Sequence, residues 1–305
     1  MYYFIVNPAS CSGKGRIIWS KIRHELARQK ISYQCAFTQK QGDATRIASS
    51  LSYSIHPYTI VAVGGDGTAN EVLNGISNPD EILFGYIPTG SSNDLARSLS
   101  IPSDPLLALS CVLNPQKIIP MDIGVVGDSS HKKRFAVSAG IGFDAGICHE
   151  SFTSVLKPIL NRIYLGKLTY AAIAVHQLLI LKMTPMELIL DSKKKIRFEK
   201  AYMAAVMNHP CEGGGVYFSP DASCEDGFFD ICVLEGISRL RSIFILLAAF
   251  SGKHTKSPHI HIYRCQRAKI RTGYQLPVHI DGEIFGRCRE ISVSVFRQKI
   301  RIITG

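Results

Sequence analysis

The sequence predicts an α/β protein in two parts: a parallel sheet with helices on both faces, then a β-rich second domain. Three observations lead there. Strand-like and helix-like segments alternate over the first 122 residues. Beyond Asp122-Ile123-Gly124, short strand-like runs dominate. Three of the early strands run into loops built from Gly, Ser, Asn and Asp. Alternation of this kind implies parallel strands joined by helical crossovers, and short runs separated by Gly, Pro and Asp turns imply a β architecture.

In chain order, Tyr2–Val6 is a short apolar run and reads as the first strand. The polar, glycine-bearing stretch Asn7 to Gly15 follows, then Ile18, Ile22 and Leu26 at helical spacing within Arg16–Arg28. Tyr33–Phe37 is strand-like, and Asp43 is placed to cap a helix running to about Leu51. Thr59–Val63 is a continuous apolar run, as in a strand buried on both faces. Gly64 to Gly67 breaks it, and Thr68–Ile76 looks helical. Ile82–Ile87 is the next strand, ended by Pro88, with a helix from about Asp94. The second part offers strands at Phe135–Ser138, Met186–Leu190, Tyr202–Met207, Phe229–Leu234, Ala268–Arg271, Val278–Ile280 and Ile291–Phe296. Two helical insertions, about Glu150–Ile163 and Tyr170–Leu181, carry apolar residues that serve either as core or as the lining of a greasy cleft.

Composition narrows the class. Hydrophobic residues at 46% and charged residues at 19% exclude disorder as the main state. The formal charge of +11 suits either an anionic partner or plain solubility. It gathers in short groups: Lys132 to Arg134, Lys193 to Lys195 with Arg197, and Arg297, Lys299 and Arg301. None is long enough for a nucleic-acid arm. The 9 cysteines are scattered, without C-x-x-C or zinc spacing, which points to a reducing compartment. The start, Met1 to Val6, has no basic n-region and reads as a strand rather than a signal peptide. The most apolar stretches, Tyr170–Met183 and Ile243–Phe250, fall short of the roughly 20 residues that span a bilayer. The expectation is a cytoplasmic protein, at most peripherally and reversibly attached to membranes.

Three loops carry the chemistry. In Val63-Gly64-Gly65-Asp66-Gly67-Thr68 a strand runs through a glycine turn into a helix. Glycines admit close approach of a ligand, and the turn's N–H groups with the helix N-terminus attract phosphate. Asp66 would repel bare phosphate, so its place makes sense if Mg²⁺ or a hydroxyl nucleophile sits between them. The plain alternative is a βα turn capped by Asp66 or Thr68. Asn7-Pro8-Ala9-Ser10-Cys11-Ser12-Gly13-Lys14-Gly15 sets small residues and a lysine at the head of a helix. It lacks the spacing of a Walker A loop and reads equally as an ordinary loop. Pro88-Thr89-Gly90-Ser91-Ser92-Asn93-Asp94 also opens a helix and alone is only a good N-cap sequence. Together the three occupy the carboxyl ends of parallel strands, where open α/β sheets bind ligands.

These loops resemble those of the diacylglycerol kinase/sphingosine kinase family of lipid kinases, its bacterial soluble branch above all. The carriers are Asn7-Pro8 with Gly13-Lys14, Gly64 to Thr68 with Asn70-Glu71, and Pro88-Thr89-Gly90 with Asn93-Asp94. The likeness continues through Asp122-Ile123-Gly124, Ala139 to Asp144, Pro220-Asp221-Ala222 with Asp226-Gly227, and Asp281-Gly282-Glu283. It implies a phosphofructokinase-like nucleotide-binding domain at about 1–122, completed by about 292–305, and a β-sandwich-like lipid-binding domain at 123–291. It also implies ATP and Mg²⁺ as cofactors and a lipid hydroxyl as acceptor, diacylglycerol leading.

The roles that the resemblance implies fall on named residues. Glu283 is the general base, Asp66 joins the magnesium–water network and Asp94 assists. Nucleotide phosphates contact Asn7, Ser10, Cys11, Ser12, Gly13, Lys14, Gly64, Gly65, Asp66, Gly67 and Thr68, with Ser91 close by and Thr38 on the nucleotide. Asp226, with backbone oxygens near Ser223 and Phe228, forms a separate structural metal site of hard oxygens. Ser91-Ser92 and Leu95 depart from the family's usual residues. The lipid is expected at an anionic membrane surface, reached through the Lys193 to Lys195 group with Arg197, and a homodimer is left open. The rival readings are an NAD kinase-like enzyme, which shares the glycine turn, and a non-catalytic nucleotide- or lipid-binding protein, which would have no need of Asp66 and Glu283. Bare of the resemblance, Asp281-Gly282-Glu283 reads as a hairpin turn with solvated carboxylates.

Overall fold

The computed structural model describes residues 1–52, 58–153 and 166–305. β1 (Tyr2–Val6), β2 (Tyr33–Phe37), β3 (Thr59–Gly64) and β4 (Leu83–Pro88) are parallel neighbours in the order β2-β1-β3-β4. The chain leaves β1 to one side and returns on the other, so β1 sits at a topological switch point. β3 is buried along nearly its whole length, which is why its sequence is continuously apolar rather than alternating. The helices are α1 (Gly15–Arg28), α2 (Asp43–Leu51), α3 (Asp66–Gly75), α4 (Asp94–Ser98) and α5 (Pro105–Leu113). They enclose a core of residues such as Phe4, Ile22, Val61, Leu73, Phe84 and Leu109. α3 begins at Asp66, two residues before the expected start, so the acid lies in the helix's first turn. α5 was not anticipated, although Asp104 caps it by accepting from the N–H groups of Leu106 and Leu107, with Pro105 at its first position.

The sheet is completed from the far end of the chain. The final strand, Ile300–Thr304, lies between β4 and β5 (Lys117–Met121), parallel to the first and antiparallel to the second.

The second sheet holds β6 (Gly124–Gly127), β7 (Lys132–Phe135), β8 (Ser138–Gly142), β9 (Thr184–Leu190), β10 (Lys194–Met207), β11 (Phe229–Glu235), β12 (Ile260–Cys265), β13 (Arg267–Ile280) and β14 (Glu283–Val295). β10 and β13 are long, and each pairs first with β9 and then with β8. The sheet thereby folds over itself around Phe135, Leu188, Val206, Ile231, Val278 and Ile291, giving the sandwich-like second core.

Some expectations shift. The strand at Phe135–Ser138 is two strands, β7 and β8, parted at Ala136 and Val137, whose N–H groups donate to Asp281 instead of to a neighbouring strand. Ala268–Arg271 and Val278–Ile280 are the two ends of β13, which changes register between them. The first helical insertion starts earlier, as α6 (Phe143–Thr153), and residues 154–163 of it lie outside the described residues. The second is α7 (Gly166–Ile180), and the apolar run near Ile243 is α8 (Arg239–Ala249).

Candidate active site between the two sheets

The register of the parallel strands decides what meets at their carboxyl ends. Val6 pairs with Phe37 and Val63, and Gly64 with Pro88, so four strands end level. The loops that follow are tied together. Asn7 Nδ2 donates to Thr68 Oγ1 at 3.1 Å, and Asn7 Oδ1 accepts from Ala9 N–H. Ser10 Oγ donates to Asn7 O at 2.8 Å and accepts from Thr89 Oγ1 at 2.8 Å. Thr89 N–H donates to Gly64 O at 2.7 Å. The glycine turn thus has the first loop on one side and the third on the other. Thr38 holds the same edge, its N–H donating to Val6 O. Cys11, Ser12 and Gly13 all have positive φ (54°, 54° and 89°), backbone that costs energy outside glycine and gathers at ligand-binding loops. Lys14 and Ser91 are exposed beside them, and Lys14 N–H donates to Cys11 O at 3.2 Å.

Asp66 and Asp94 face one another across this edge. Asp66 Oδ1 accepts from Leu95 N–H at 3.4 Å. Asp94 accepts from Gly214 N–H at 2.9 Å, a bond from the second domain, and Arg97 lies 3.9 Å away. Burial, then the repulsion of Asp94, pushes the Asp66 carboxyl up to about 7. Burial likewise raises Asp94 to about 6, against the Gly214 N–H and with added repulsion from Glu212. Two carboxylates that resist ionising together and hold one distant cation between them are a donor set that fits a divalent ion with hard-oxygen preference.

The second domain brings the hairpin β13–β14 to the same place. Its two-residue turn has Asp281 at φ 47° and Gly282 at φ 80°, the twist that Asp-Gly favours. The residues do form a hairpin turn, but the Asp281 carboxylate in it is not solvated. Asp281 accepts from the N–H groups of Ala136, Val137 and Ser138 and from Asn70 Nδ2, at 2.7–3.0 Å. Asn70 sits on α3, one turn beyond Asp66, so this bond clamps the hairpin to the glycine turn. Asn74 and Arg134 extend the clamp: Asn74 Oδ1 accepts from Arg134 N–H, and Arg134 Nη1 donates to Leu73 O near the carboxyl end of α3. Glu283 then reaches the turn itself, where a Cβ added at Gly67 would stand 2.5 Å from Glu283 Oε1.

That contact gives a direct check. Gly67→Ala is expected to leave the melting temperature near the wild-type value, because the position is helical, while pushing the Glu283 carboxylate aside. A misplacement of about 1 Å at a reacting group costs roughly 10²-fold. Steady-state kinetics and a thermal melt on one preparation measure both.

Behind the hairpin lies a buried group that sequence reasoning passed over. His279 Nε2 is 3.2 Å from Asp144 Oδ2 and 3.7 Å from Glu212 Oε2, and its Nδ1 accepts from Gly282 N–H at 3.3 Å. Asp144 and Asp281 stood inside recognised motifs. Nothing in the sequence marked Glu212 or His279, which meet only when β10 and β13 both pair with β8.

The expected metal site at Asp226 meets a different arrangement. Asp226 Oδ2 is ion-paired with Arg264, and its Oδ1 accepts from Phe228 N–H. Ser223 Oγ accepts from Glu225 N–H. Nearby, Lys299 pairs with Asp122 at 3.0 Å. Among these contacts, the Arg264 guanidinium neutralises the Asp226 carboxylate. With that pairing already in place, any Mg²⁺-dependent rise in melting temperature is expected to survive Asp226→Ala, and its loss in that variant would support a metal at Asp226.

Comparison with known proteins fits this geometry. Residues 1–126 match the diacylglycerol kinase catalytic domain, and residues 152–304 match the YegS C-terminal NAD kinase beta sandwich-like domain. The chain belongs to the diacylglycerol kinase-type lipid kinases. It is 30% identical over 292 residues to YtlR, a Bacillus subtilis protein assigned to the lipid kinases (93% of this chain, 94% of YtlR). It is 29% identical over 298 residues to the diacylglycerol kinase of the same organism (96% and 93%). A crystal structure of a diacylglycerol kinase from Bacillus anthracis superposes with a TM-score of 0.71 at 20% identity, over 100% of this chain and 96% of that one. An Archaeoglobus fulgidus NAD kinase in complex with ATP shares the fold more loosely, with a TM-score of 0.52 at 12% identity (100% and 94%). As a member of this family the lipid kinase is a phosphotransferase with an alcohol acceptor, and ATP is its implied phosphoryl donor. No helix among its described residues is long and apolar enough to cross a membrane.

Proposed function

We propose that this lipid kinase transfers the γ-phosphoryl group of ATP to the hydroxyl of a lipid, diacylglycerol giving phosphatidic acid. The observation that carries the reading is Glu283 Oε1 lying against Gly67, which unites the second domain's carboxylate with the phosphate-binding turn of the first. Asn7, Ser10, Thr68 and the N–H groups of the loops around them cradle the phosphates. Mg²⁺ held by Asp66 and Asp94 would neutralise charge on the transferring oxygens. Glu283 accepts the proton of the lipid hydroxyl as its oxygen bonds to the γ-phosphorus and the bond to ADP breaks. Asp281 makes no part of that exchange: its four donors hold the hairpin so that Glu283 stays in place.

Radiolabelled ATP offered in parallel with diacylglycerol, sphingosine and NAD tests the reading. Label in phosphatidic acid is the expected result. Label in NADP would transfer the site to the NAD kinase chemistry of its distant structural relative, and label in none would leave a binder.

A further inference from the structure

The +11 charge led to an expectation that Lys193 to Lys195 with Arg197 meets the membrane, but that group is partly spent. Glu187 pairs with Lys195 and with Arg197, each at 2.9 Å, and Lys194 lies over the Tyr263 ring. Another surface has the missing qualities. α8 is apolar on both faces. Ser242 and Ala249 are buried, and Ile243, Ile245 and Leu246 pack on the core formed by Met203, Leu234 and Leu178. On the opposite side Leu240, Phe244, Leu247 and, just past the helix end, Phe250 are 67%, 64%, 61% and 58% exposed. Their spacings of four, three and three place them on one stripe. A helix that is hydrophobic all round is normally buried, so a stripe of this size in water marks a contact surface. α7, which packs against α8, adds exposed Val175, Leu179 and Ile180.

The charge around the stripe selects the partner. From Gly236 to Ile280 there is no Asp or Glu at all. Arg239 and Arg241 on α8 and Lys253 and Lys256 just after it are all exposed, with no ion pair among the described residues. An apolar stripe flanked by unpaired cations is the pattern of a helix lying in the plane of an anionic bilayer. The surface is also joined to the site: Ala249 O accepts from Tyr217 N–H at 3.0 Å, and three residues earlier Gly214 donates to the Asp94 carboxylate.

We propose that the stripe Leu240, Phe244, Leu247 and Phe250, with Arg239, Arg241, Lys253 and Lys256, docks the enzyme on anionic lipid bilayers. The inference rests on the lipid-kinase reading for its purpose, since a diacylglycerol substrate stays in the membrane, but not for its geometry. The test is flotation of the full chain with vesicles of phosphatidylcholine alone and of phosphatidylcholine mixed equally with phosphatidylglycerol. Wild type is expected on the mixed vesicles only. Phe244→Ser combined with Leu247→Ser, both exposed, is expected to lose binding more than tenfold while keeping its melting temperature and its turnover of a short-chain, water-soluble diacylglycerol. Arg239→Gln with Arg241→Gln is expected to weaken binding by roughly fivefold per cation removed, and changing Lys193 to Lys195 to Ser is expected to leave it unchanged.

Wild type that stays off both vesicles, or a serine variant that binds as wild type does, overturns the proposal. So does sedimentation velocity showing a wild-type dimer that the serine variant abolishes, because a second copy would then cover the stripe. Soluble-substrate turnover without vesicle binding removes the docking surface and keeps the lipid kinase. Stripe-dependent vesicle binding without lipid phosphorylation keeps the docking surface and removes the substrate.

Discussion

Glu283→Gln is expected to lower kcat by about 10²–10⁴-fold, the usual loss when a general base is removed. Its KM for lipid and for ATP should change little, because the amide keeps the shape of the side chain and the nucleotide loops belong to the other domain. The fold should survive as well. Asp281 accepts four bonds that fix the hairpin, so the turn keeps those anchors in the variant. Steady-state kinetics with saturating lipid provide the readout. Turnover within a few-fold of wild type would remove Glu283 from the base role and leave proton transfer to solvent.

Asp66→Asn is expected to abolish turnover and, without nucleotide and metal, to stabilise the protein at neutral pH. The two effects have one cause. The Asp66 carboxyl is raised by burial and by Asp94 from 3.8 to about 7, so the folded state holds its proton more tightly than the unfolded chain does. Wherever the folded state binds more protons, stability falls as pH rises. The wild-type protein therefore loses stability through this group between about pH 4 and pH 7, and Asp94 adds to the loss up to about pH 6. The asparagine carries no such dependence, so its melting curve against pH should be flatter and higher at pH 8. Mg²⁺ should raise the wild-type melting temperature at pH 8 more than that of the variant, since a ligand bound only by the native state stabilises it. A wild-type melting temperature that rises from pH 5 to pH 8 in parallel with the variant's would contradict the burial of this charge.

The same carboxylates show what could be read without a structure. Asp66 was legible because strand, glycine turn and helix follow one another within about ten residues, and local spacing decides that geometry. The alternating first third was legible for the same reason: periods of 2 and 3.6 are properties of the backbone, and the strands Tyr2–Val6 and Tyr33–Phe37 appear where the pattern put them, with the next, Thr59–Gly64, one residue longer. The long β10 and β13 were read short because a strand that serves two neighbours in turn leaves no local signal of where one pairing ends. Arg264 was invisible as the partner of Asp226 because the two lie 38 residues apart on paired strands and the loop before them.

The sequence by itself determined the alternation of elements, the three loops at the carboxyl ends of strands and the family to which they belong, because each depends on residues near one another in the chain. Only the tertiary structure decided that Asn70 holds Asp281 across 211 positions, that Glu283 stands against Gly67, and that Glu187 pairs with Lys195 and Arg197 while α8 shows an apolar stripe to solvent. Those are facts of distance and exposure. The first two are fixed when β13 pairs with β8 and the hairpin meets α3, the Glu187 pairs when β9 pairs with β10, and no local pattern encodes those meetings.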